Sequence, residues 1–320
     1  MTPLISFIIT THNLSAPTVA ACLQSILQLS PNPKEREILF IDDGSNICLL
    51  PELKSYQDDI IYVRQPQRGL SVARNLGIQM SCGQYIQFVG GGDRLIRAPY
   101  EHCLDIMRYH NPDIVYFEET DKEEVDVPFT YSQPMSGSSF MHNHTLRTSA
   151  YSYIFARNIL LSLRFRQGIL NEDEEFTPQL FLRSERLIVT TSKAYYHSTK
   201  VKDSASSNKR EALLQLSDTE HVIYHLQEVA ITLTDKDRAA LNRRIAQLTM
   251  DYLYDTIVKT HSSHHLEAAI TRLHAHGLFP LPDKDYTKRY KMFRKAINSK
   301  TGRQIMVTAL SYANKASSII

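Results

Sequence analysis

Short apolar runs alternate with amphipathic segments along the first 200 residues of the chain. The runs Leu4–Ile9, Glu37–Ile41, Ile60–Arg64 and Gln84–Val89 have the near-continuous hydrophobicity of strands buried in a parallel sheet. Between them, apolar positions recur at helical spacing, and each run ends in polar residues. This alternation predicts a wound, mostly parallel α/β sheet that binds its ligand outside the carboxyl ends of the strands.

The alternation continues to about residue 205 and then gives way to helices alone. It predicts helices over Leu70–Met80, Ala98–Tyr109, Arg157–Leu163 and Asn171–Ser184, strands over Asp113–Phe117, Tyr153–Phe155 and Leu187–Tyr196, and a loop-rich segment that ends near Ser149. From Arg210 onward the apolar spacing is helical only. We therefore predict an α/β domain over residues 1–205 and a helical C-terminal region over residues 206–320.

The composition is that of a globular protein, with 42% hydrophobic and 22% charged residues among 320, and it excludes collagen-like and disordered chains. The four cysteines have no metal-ligand or disulfide spacing, so we expect buried thiols in a reducing compartment. The sequence shows no secretory leader pattern and no apolar run of about 18 residues, so we expect a cytoplasmic protein.

The net charge of +2 hides a basic tail, in which nine Lys and Arg follow residue 283 against a single acid, Asp285. Within it, Tyr286, Tyr290, Phe293 and Ile297 fall on one helical face. This stripe fits either an interfacial helix on the anionic inner face of the cell membrane or a helix packed on the core of the protein itself. No nucleic-acid-reading motif accompanies the charge, so nucleic acid is not an expected partner.

Two segments carry candidate chemistry at the ends of predicted strands. Asp42 and Asp43 end the second strand, where carboxylates can accept hydrogen bonds from a base or a ribose, although an Asp-Gly turn alone also explains them. The segment Gly69–Ile78 opens a helix with Arg74 in its first turns. A helix N-terminus and a guanidinium suit a pyrophosphate, although a capped helix with a solvated arginine is the simpler interpretation.

Four collinear segments together resemble the inverting family 2 glycosyltransferases, which have the GT-A fold. They are Ile8–Asn13, Ile41–Ser45, Gly69–Asn75 and Gly83–Phe88, and the resemblance extends over roughly the first 200 residues. It implies a nucleotide-diphosphate sugar as donor, with a UDP-sugar favoured. The resemblance assigns contacts with the nucleoside to Thr10, His12, Asp42 and Asp43, and contacts with the phosphates to Arg74.

Two further segments extend the resemblance. Glu172–Phe176 is similar to the Glu-Asp-x-x-Phe element of the family, which makes Asp173 the catalytic base, with Glu172 beside it. Inverting transfer needs one carboxylate to take the proton of the acceptor hydroxyl, although acids at a helix start also suit the helix dipole. His197, on the loop after the last strand, corresponds to a residue that contacts the diphosphate.

The chain departs from the family where an Asp-x-Asp would hold Mn²⁺ or Mg²⁺, because it has Gly90-Gly91-Gly92-Asp93 there. Three alternatives remain open for how the site works without the Asp-x-Asp. Asp93 acts as the single metal ligand, cationic side chains replace the metal, or the protein binds its ligand without turnover. The candidate cations are Arg74, Arg94, Lys200 and Lys202.

The resemblance implies transfer of a sugar, with inversion, to a hydroxyl of a glycan or lipid-linked acceptor in polysaccharide biosynthesis. The alternative is a non-catalytic nucleotide-sugar-binding or scaffold protein of a glycan assembly system, which the glycines favour. A sugar nucleotidyltransferase is disfavoured because Thr10–Leu14 lacks the glycines of a phosphate loop. The histidines in 261–265 and 274–276 lack the accompanying ligands of a metal site, and we expect them to be solvated.

Overall fold

The computed structural model of the chain describes residues 2–122, 128–198 and 209–317. These residues form two compact units, which we name the sheet unit and the helical unit. The sheet unit consists of the described residues of Met1–Phe140, Arg147–Gly168 and Phe176–Ala205, and the helical unit of those of Met141–Leu146, Ile169–Glu175 and Ser206–Ile320. The domain boundary predicted after residue 205 falls outside the described residues, so it stays a prediction.

The sheet unit is built on an eight-stranded mixed sheet with the order β3-β2-β1-β4-β7-β6-β8-β5. Its strands are β1 (Ile5–Thr11), β2 (Arg36–Asp43), β3 (Ile61–Gln65), β4 (Tyr85–Gly90), β5 (Arg94–Leu95), β6 (Ile114–Thr120), β7 (Tyr153–Ala156) and β8 (Leu187–Tyr196). β3, β2, β1 and β4 run parallel, whereas β7 is antiparallel to both β4 and β6. The α/β fold class predicted from the sequence is confirmed.

The strands at the centre of the sheet extend further than the apolar runs. β1 continues through Thr10, which pairs with Ile41 and Gly90, and ends at Thr11. Backbone pairing with β3 extends β2 through Asp42 and Asp43. As a result, the polar residues predicted to follow the strands stand at their paired ends, where the ladder hydrogen bonds hold their backbones in place.

The described helices are α1 (Ala16–Leu27), α2 (Leu70–Met80), α3 (Arg97–His110), α4 (Gly137–Asn143), α5 (Glu172–Phe181), α6 (Lys209–Ile231), α7 (Asp235–Thr260), α8 (Ser263–Ala275), α9 (Lys288–Ile297) and α10 (Lys300–Ser317). α2 has the predicted bounds, but the helix predicted over Arg157–Leu163 is wrong. Only a 3₁₀ turn forms at Arg157–Ile159, since Leu161 adopts a left-handed conformation with φ 48°.

The segment predicted to be loop-rich contains α4. Ser136 accepts a hydrogen bond from the Ser139 amide, as a helix cap does. Gly137 opens the helix, and a Cβ there would lie 1.8 Å from the Phe181 carbonyl oxygen. A serine and a glycine, which are typical of loops, therefore serve here as a helix cap and a close packing contact.

The helical unit is organised around a buried carboxylate on α6. Glu220 accepts two hydrogen bonds from Arg272, at 2.7 and 2.8 Å, and one each from Tyr224 and Tyr252 at 2.6 Å. The hydroxyl and guanidinium donors join α6, α7 and α8, and they lower the pKa of Glu220 although burial alone would raise it. A single side chain thus ties three helices together.

The aromatic stripe of the basic tail is turned into the helical unit. Tyr290 and Ile297 on α9 are fully buried, and Phe293 packs against Tyr254 at 6.4 Å between ring centroids. The structure therefore supports the interpretation in which the stripe packs on the core of the protein, and the interfacial-helix prediction is wrong for this face. Among the described residues, no helix has the length and apolar character to cross a bilayer.

Candidate functional site

A cavity of about 260 Å³ lies at the carboxyl ends of β1, β2 and β4; we name it the strand-edge cavity. Its position is the one expected for ligands of a wound α/β sheet. It is lined by Thr10, Thr11, His12, Leu14, Asp43, Leu70, Ala73, Gly90, Gly91, Gly92, Asp93 and Tyr151. Four of the residues predicted from the sequence are thus brought together here: Thr10, His12, Asp43 and Asp93.

Asp43 joins three segments of the cavity wall. Its Oδ1 accepts hydrogen bonds from Gln65 Nε2 at 2.6 Å and from the Arg68 amide at 2.9 Å, and its Oδ2 accepts one from the Gly69 amide at 2.8 Å. Gly69 precedes α2, so the carboxylate satisfies backbone donors at the start of that helix. The side chain is 6% exposed, which leaves one small surface towards the cavity.

His12 connects the loop after β1 to the end of β2. Its Nδ1 lies 2.9 Å from the backbone carbonyl oxygen of Asp43, and its Nε2 lies 2.9 Å from the side-chain amide nitrogen of Asn13. Because a carbonyl only accepts and an amide nitrogen only donates, this network assigns the proton of a neutral His12 to Nδ1. The imidazole is therefore held at the cavity in a defined orientation.

Asp42 differs from Asp43 because it is completely buried and does not line the cavity. Its Oδ1 accepts from the Ser45 amide at 2.9 Å, and its Oδ2 accepts from the Tyr62 hydroxyl at 2.8 Å. Arg64 lies 3.5 Å from the same oxygen. Asp42 thus holds the shape of its own loop, and the contact with the nucleoside expected from the sequence is not available to its carboxylate in this structure.

Arg74 is also buried, with 1% of its surface exposed. Its guanidinium carbon lies 4.8 Å from the ring centroid of Tyr151 and 4.9 Å from that of Phe165. Tyr151 lines the cavity, so Arg74 supports the wall from behind through a cation–π contact. A contact between Arg74 and phosphates stays a prediction.

The glycine turn after β4 leads into a cluster around Asp93. Its Oδ2 accepts from the Tyr195 hydroxyl at 2.8 Å and lies 3.4 Å from His197 Nδ1, and its Oδ1 accepts from the Ser198 amide at 3.0 Å. His197 Nε2 lies 3.0 Å from Glu119 Oε2 on β6. One imidazole therefore bridges two carboxylates.

This bridge decides the charge of His197. Burial by itself lowers the pKa of His197, but its hydrogen bonds to Asp93 and Glu119 outweigh burial and raise the pKa to about 9. The imidazole is therefore cationic at neutral pH. His197 does not itself line the cavity; it places a positive charge against Asp93, which does.

The residues at the glycine turn do not fit a divalent metal ion. Gly90 and Gly92 offer no side-chain oxygen, and the remaining Asp93 carboxylate already accepts from Tyr195 and Ser198 and faces a cationic imidazole, which repels a metal. Nowhere in the described part of the chain do three or more His, Cys, Asp or Glu side chains gather as a metal site would require. The structure therefore gives no support to Asp93 as a single metal ligand.

Glu172 and Asp173 open α5 and belong to the helical unit, with Glu172 buried and Asp173 half-buried. The two acids that follow them contact nitrogen-bearing side chains, since Glu174 pairs with Arg244 and Glu175 lies 3.6 Å from His225 Nε2. A base role for Asp173, with Glu172 beside it, stays a prediction.

The other candidate cations are placed only in part. Arg94 lies with its guanidinium carbon 4.6 Å from the Tyr196 ring centroid, whereas Lys200 and Lys202 lie outside the described residues. Of the four cysteines, Cys22 and Cys103 are buried as expected, whereas Cys48 is half-buried and the expectation is wrong for Cys82, which is exposed.

Sequence reasoning missed Tyr151, the aromatic wall of the cavity. Its ring stacks on Tyr195 at 5.3 Å between centroids, with an interplanar angle of 21°. Tyr151 lies just before β7, and the antiparallel pairing of β7 with β4 brings it to the strand edge. A lone tyrosine in a loop-like segment carries no periodic signal that would indicate this.

The comparisons with known proteins agree with this geometry. Residues 6–163 match the family model Glycosyl transferase family 2. EpsJ of Bacillus subtilis strain 168, described as an uncharacterized glycosyltransferase, is 26% identical over 204 residues, which are 58% of this chain and 58% of EpsJ. The poly(ribitol-phosphate) beta-N-acetylglucosaminyltransferase TarS of Staphylococcus aureus strain MW2 is 22% identical over 203 residues, 61% of this chain and 35% of TarS. The chain thus spans less than two thirds of either relative.

Solved structures show the same fold. The crystal structure of S. aureus TarS 1–349 in complex with UDP-GlcNAc has a TM-score of 0.60 at 15% identity, covering 92% of this chain and 90% of that chain. Mannosyltransferase PcManGT from Pyrobaculum calidifontis, in complex with GDP-Man and Mn²⁺, has a TM-score of 0.57 at 13% identity, with coverages of 98% and 87%. The chain therefore belongs to the family 2 glycosyltransferases with the GT-A fold, through the domain that residues 6–163 match.

Replacing Asp43 by Asn tests the junction at the cavity. The amide keeps one accepting oxygen, so hydrogen bonds to the Arg68 and Gly69 amides cannot both be kept, and we expect a loss of about 2 kcal/mol in the free energy of unfolding. Denaturant unfolding measures it, with the exposed Asp58→Asn as matched control. Equal stability of the two variants would show that the Asp43 carboxylate does not hold the junction.

The charge on His197 predicts a pH dependence of stability. The folded pKa of about 9 exceeds the ordinary value of 6.5, so the contribution is complete below pH 6.5 and is lost as the pH rises through 9. Since a quarter of the side chain is exposed, we expect it to amount to about 1–2 kcal/mol.

Denaturant unfolding of the wild type and His197→Gln, compared below pH 6.5 and above pH 9, measures this contribution. The stability difference between the two proteins should shrink at the higher pH. The exposed His274→Gln on α8 is the control and should show no such trend. A His197→Gln effect of the same size at both pH values would contradict a cationic bridge.

Proposed function

We propose that this protein transfers a sugar from a nucleotide-diphosphate sugar to a hydroxyl of a glycan or lipid-linked acceptor, with inversion at the anomeric carbon. The observation that carries the proposal is the strand-edge cavity in a family 2 domain, where Thr10, His12, Asp43 and Asp93 line one site. The TarS structure with UDP-GlcNAc supports a UDP-sugar as donor, and the named activity of TarS supports a role in polysaccharide biosynthesis.

In the proposed reaction, the acceptor oxygen attacks the anomeric carbon from the side opposite the diphosphate. The bond between that carbon and the phosphate oxygen breaks, and the nucleoside diphosphate leaves with the electron pair. Asp173 takes the proton of the acceptor hydroxyl, with Glu172 beside it in the first turn of α5. Thr10, His12 and Asp43 hold the nucleoside, while Arg74 acts by keeping Tyr151 in the wall.

We further propose that the donor binds without Mn²⁺ or Mg²⁺. The side chains at the glycine turn support this, because the one acid there, Asp93, faces a cationic His197. The positive charge that the diphosphate requires then comes from side chains of the protein, with Arg74, Arg94 and His197 as the described candidates. PcManGT, a neighbour in fold, was solved with GDP-Man and Mn²⁺, so donor binding is measured with and without the metal.

Calorimetric titration of UDP and GDP, with Mn²⁺ and again with excess chelator, tests donor binding. We expect UDP to bind equally well in both conditions. Binding that disappears with chelator would contradict the metal-independent site. No binding in either condition would contradict the transferase and would favour the alternative of a scaffold protein without a donor site.

Asp173→Asn then separates an enzyme from a scaffold. It should retain UDP binding but lower UDP release from UDP-GlcNAc or UDP-glucose by about 100-fold or more, since the general base is lost. The surface variant Asp58→Asn is the control and should release UDP at the wild-type rate. UDP binding by a wild type that never releases UDP from a donor would favour the non-catalytic scaffold.

We place the protein in the cytoplasm, with peripheral attachment to the anionic inner face of the membrane. Because the aromatic stripe is buried, the attachment would use exposed basic side chains of α9, including Lys288 and Lys295. Co-sedimentation with phosphatidylglycerol vesicles at low salt should exceed that with phosphatidylcholine vesicles, and Lys288→Glu with Lys295→Glu should reduce it. No co-sedimentation with either vesicle would remove the membrane from the proposal.

A further inference from the structure

One face of α7 combines small and polar residues with a single large apolar side chain. The residues of this face are Ala239, Asn242, Arg243, Ile245, Ala246 and Thr249. They border a cavity of about 880 Å³ within the helical unit, which we name the helical cavity. This volume falls in the range of small-molecule sites, about 300 to 1,000 Å³.

The remaining lining of the helical cavity mixes hydrogen-bonding and apolar groups. Asn143 and Gln227 add two side-chain amides to that of Asn242, and Leu278 and Pro282 add apolar surface. Tyr286 contributes a half-buried aromatic ring. Amides and an aromatic ring suit a ligand that has both hydroxyl groups and C–H faces, as a sugar or polyol has.

Arg243 gives the helical cavity a buried positive charge. It is 5% exposed, and its Nη1 donates to the carbonyl oxygens of Met141, at 3.2 Å, and His142. Its Nε is buried and makes no hydrogen bond to a described residue, and no described carboxylate pairs with this guanidinium. Burial lowers the pKa of Arg243, as expected for a charge without a carboxylate partner.

The other charges of the lining leave this one uncompensated. Lys284 adds a second cation, and Asp285 contributes the carboxylate. Asp285 is already engaged by two cations outside the lining, since it lies 2.7 Å from Lys291 Nζ and 3.6 Å from Arg294 Nη2. The helical cavity therefore attracts an anion.

We propose that the helical cavity is a second ligand site, which binds a sugar or polyol unit that carries an anionic group. Arg243 and Lys284 meet the anion, Asn143 and Asn242 bond hydroxyl groups, and Tyr286 packs against the carbon skeleton. The site goes beyond the proposed transfer reaction, because it would recognise a charged carbohydrate, such as a segment of an acceptor, through the helical unit. Its binding does not require that the donor reaction take place.

Ligand-observed NMR titration of the full chain with glucose 6-phosphate, glucuronate, glucose and inorganic phosphate tests the proposal. Each titration is repeated with saturating UDP, which excludes phosphate binding in the strand-edge cavity. We expect at least one of the two anionic sugars to bind, with or without UDP, and more tightly than glucose or phosphate. The comparison of the two anionic sugars shows whether the site prefers a phosphate or a carboxylate.

Substitutions then locate the binding. Lys284→Gln removes an exposed charge at the helical cavity and should weaken binding of the anionic sugar about tenfold. Lys288→Gln makes the same change away from the lining and should leave this affinity unaltered. Asn242→Ala should lower the affinity by a smaller factor. Arg243→Lys keeps the charge but not the fork geometry and should also weaken it. Because Arg243 is buried, its variant is interpreted only if its thermal unfolding matches that of wild type.

Three results would overturn the proposal. First, neither anionic sugar binds at millimolar concentration. Second, UDP displaces the bound anionic sugar. Third, Lys284→Gln and Asn242→Ala leave the affinity for the anionic sugar unaltered. Binding of inorganic phosphate as tight as that of glucose 6-phosphate would overturn the carbohydrate part. If UDP itself fails to bind, the proposed function fails, but the anionic sugars should still distinguish the two lysine variants.

Discussion

The architecture of the strand-edge cavity depends on one carboxylate at the end of β2. Asp43 accepts hydrogen bonds from β3 and from the amides before α2, while its carbonyl oxygen faces the imidazole of His12 after β1. Loops at a strand edge have no ladder bonds of their own, so a shared acceptor is needed to give them one geometry. Asp42 does the same for its own loop through the Ser45 amide. The acid pair is therefore first a structural device, and only Asp43 also reaches the cavity.

Features that depend on local pattern could be predicted from the sequence, and features that depend on long-range pairing could not. The run that becomes β1 is apolar because every residue of the strand is buried, and α2 shows its bounds through Gly69 and its periodicity. By contrast, α4 begins with a serine and a glycine, which are also loop residues. Tyr151 joins the site only because β7 pairs with β4, a contact between distant parts of the chain.

The glycine turn and the Asp93 cluster are two aspects of the same arrangement. A Cβ on Gly90 would lie 2.7 Å from Asp93 Oδ2, so the position at which Asp93 accepts from Tyr195 would have to shift with any other residue there. An acid at residue 90 would displace that oxygen and add a second negative charge beside it. His197 supplies the compensating cation. A glycine at residue 90 and an imidazolium bridge at Asp93 are thus consistent with one another.

The two cavities differ in how their charges are balanced, and this difference bears on where a ligand gains most. At the strand edge, Asp43 and Asp93 are each satisfied within the protein, by amide donors and by His197. In the helical cavity, carbonyl oxygens hold Arg243 in place without cancelling its charge. A buried charge that lacks a counter-ion is costly, and an anion that supplies one recovers that cost on binding. An anionic ligand of the helical cavity therefore gains from meeting Arg243 on α7, in a part of the chain that lies outside the matched family domain.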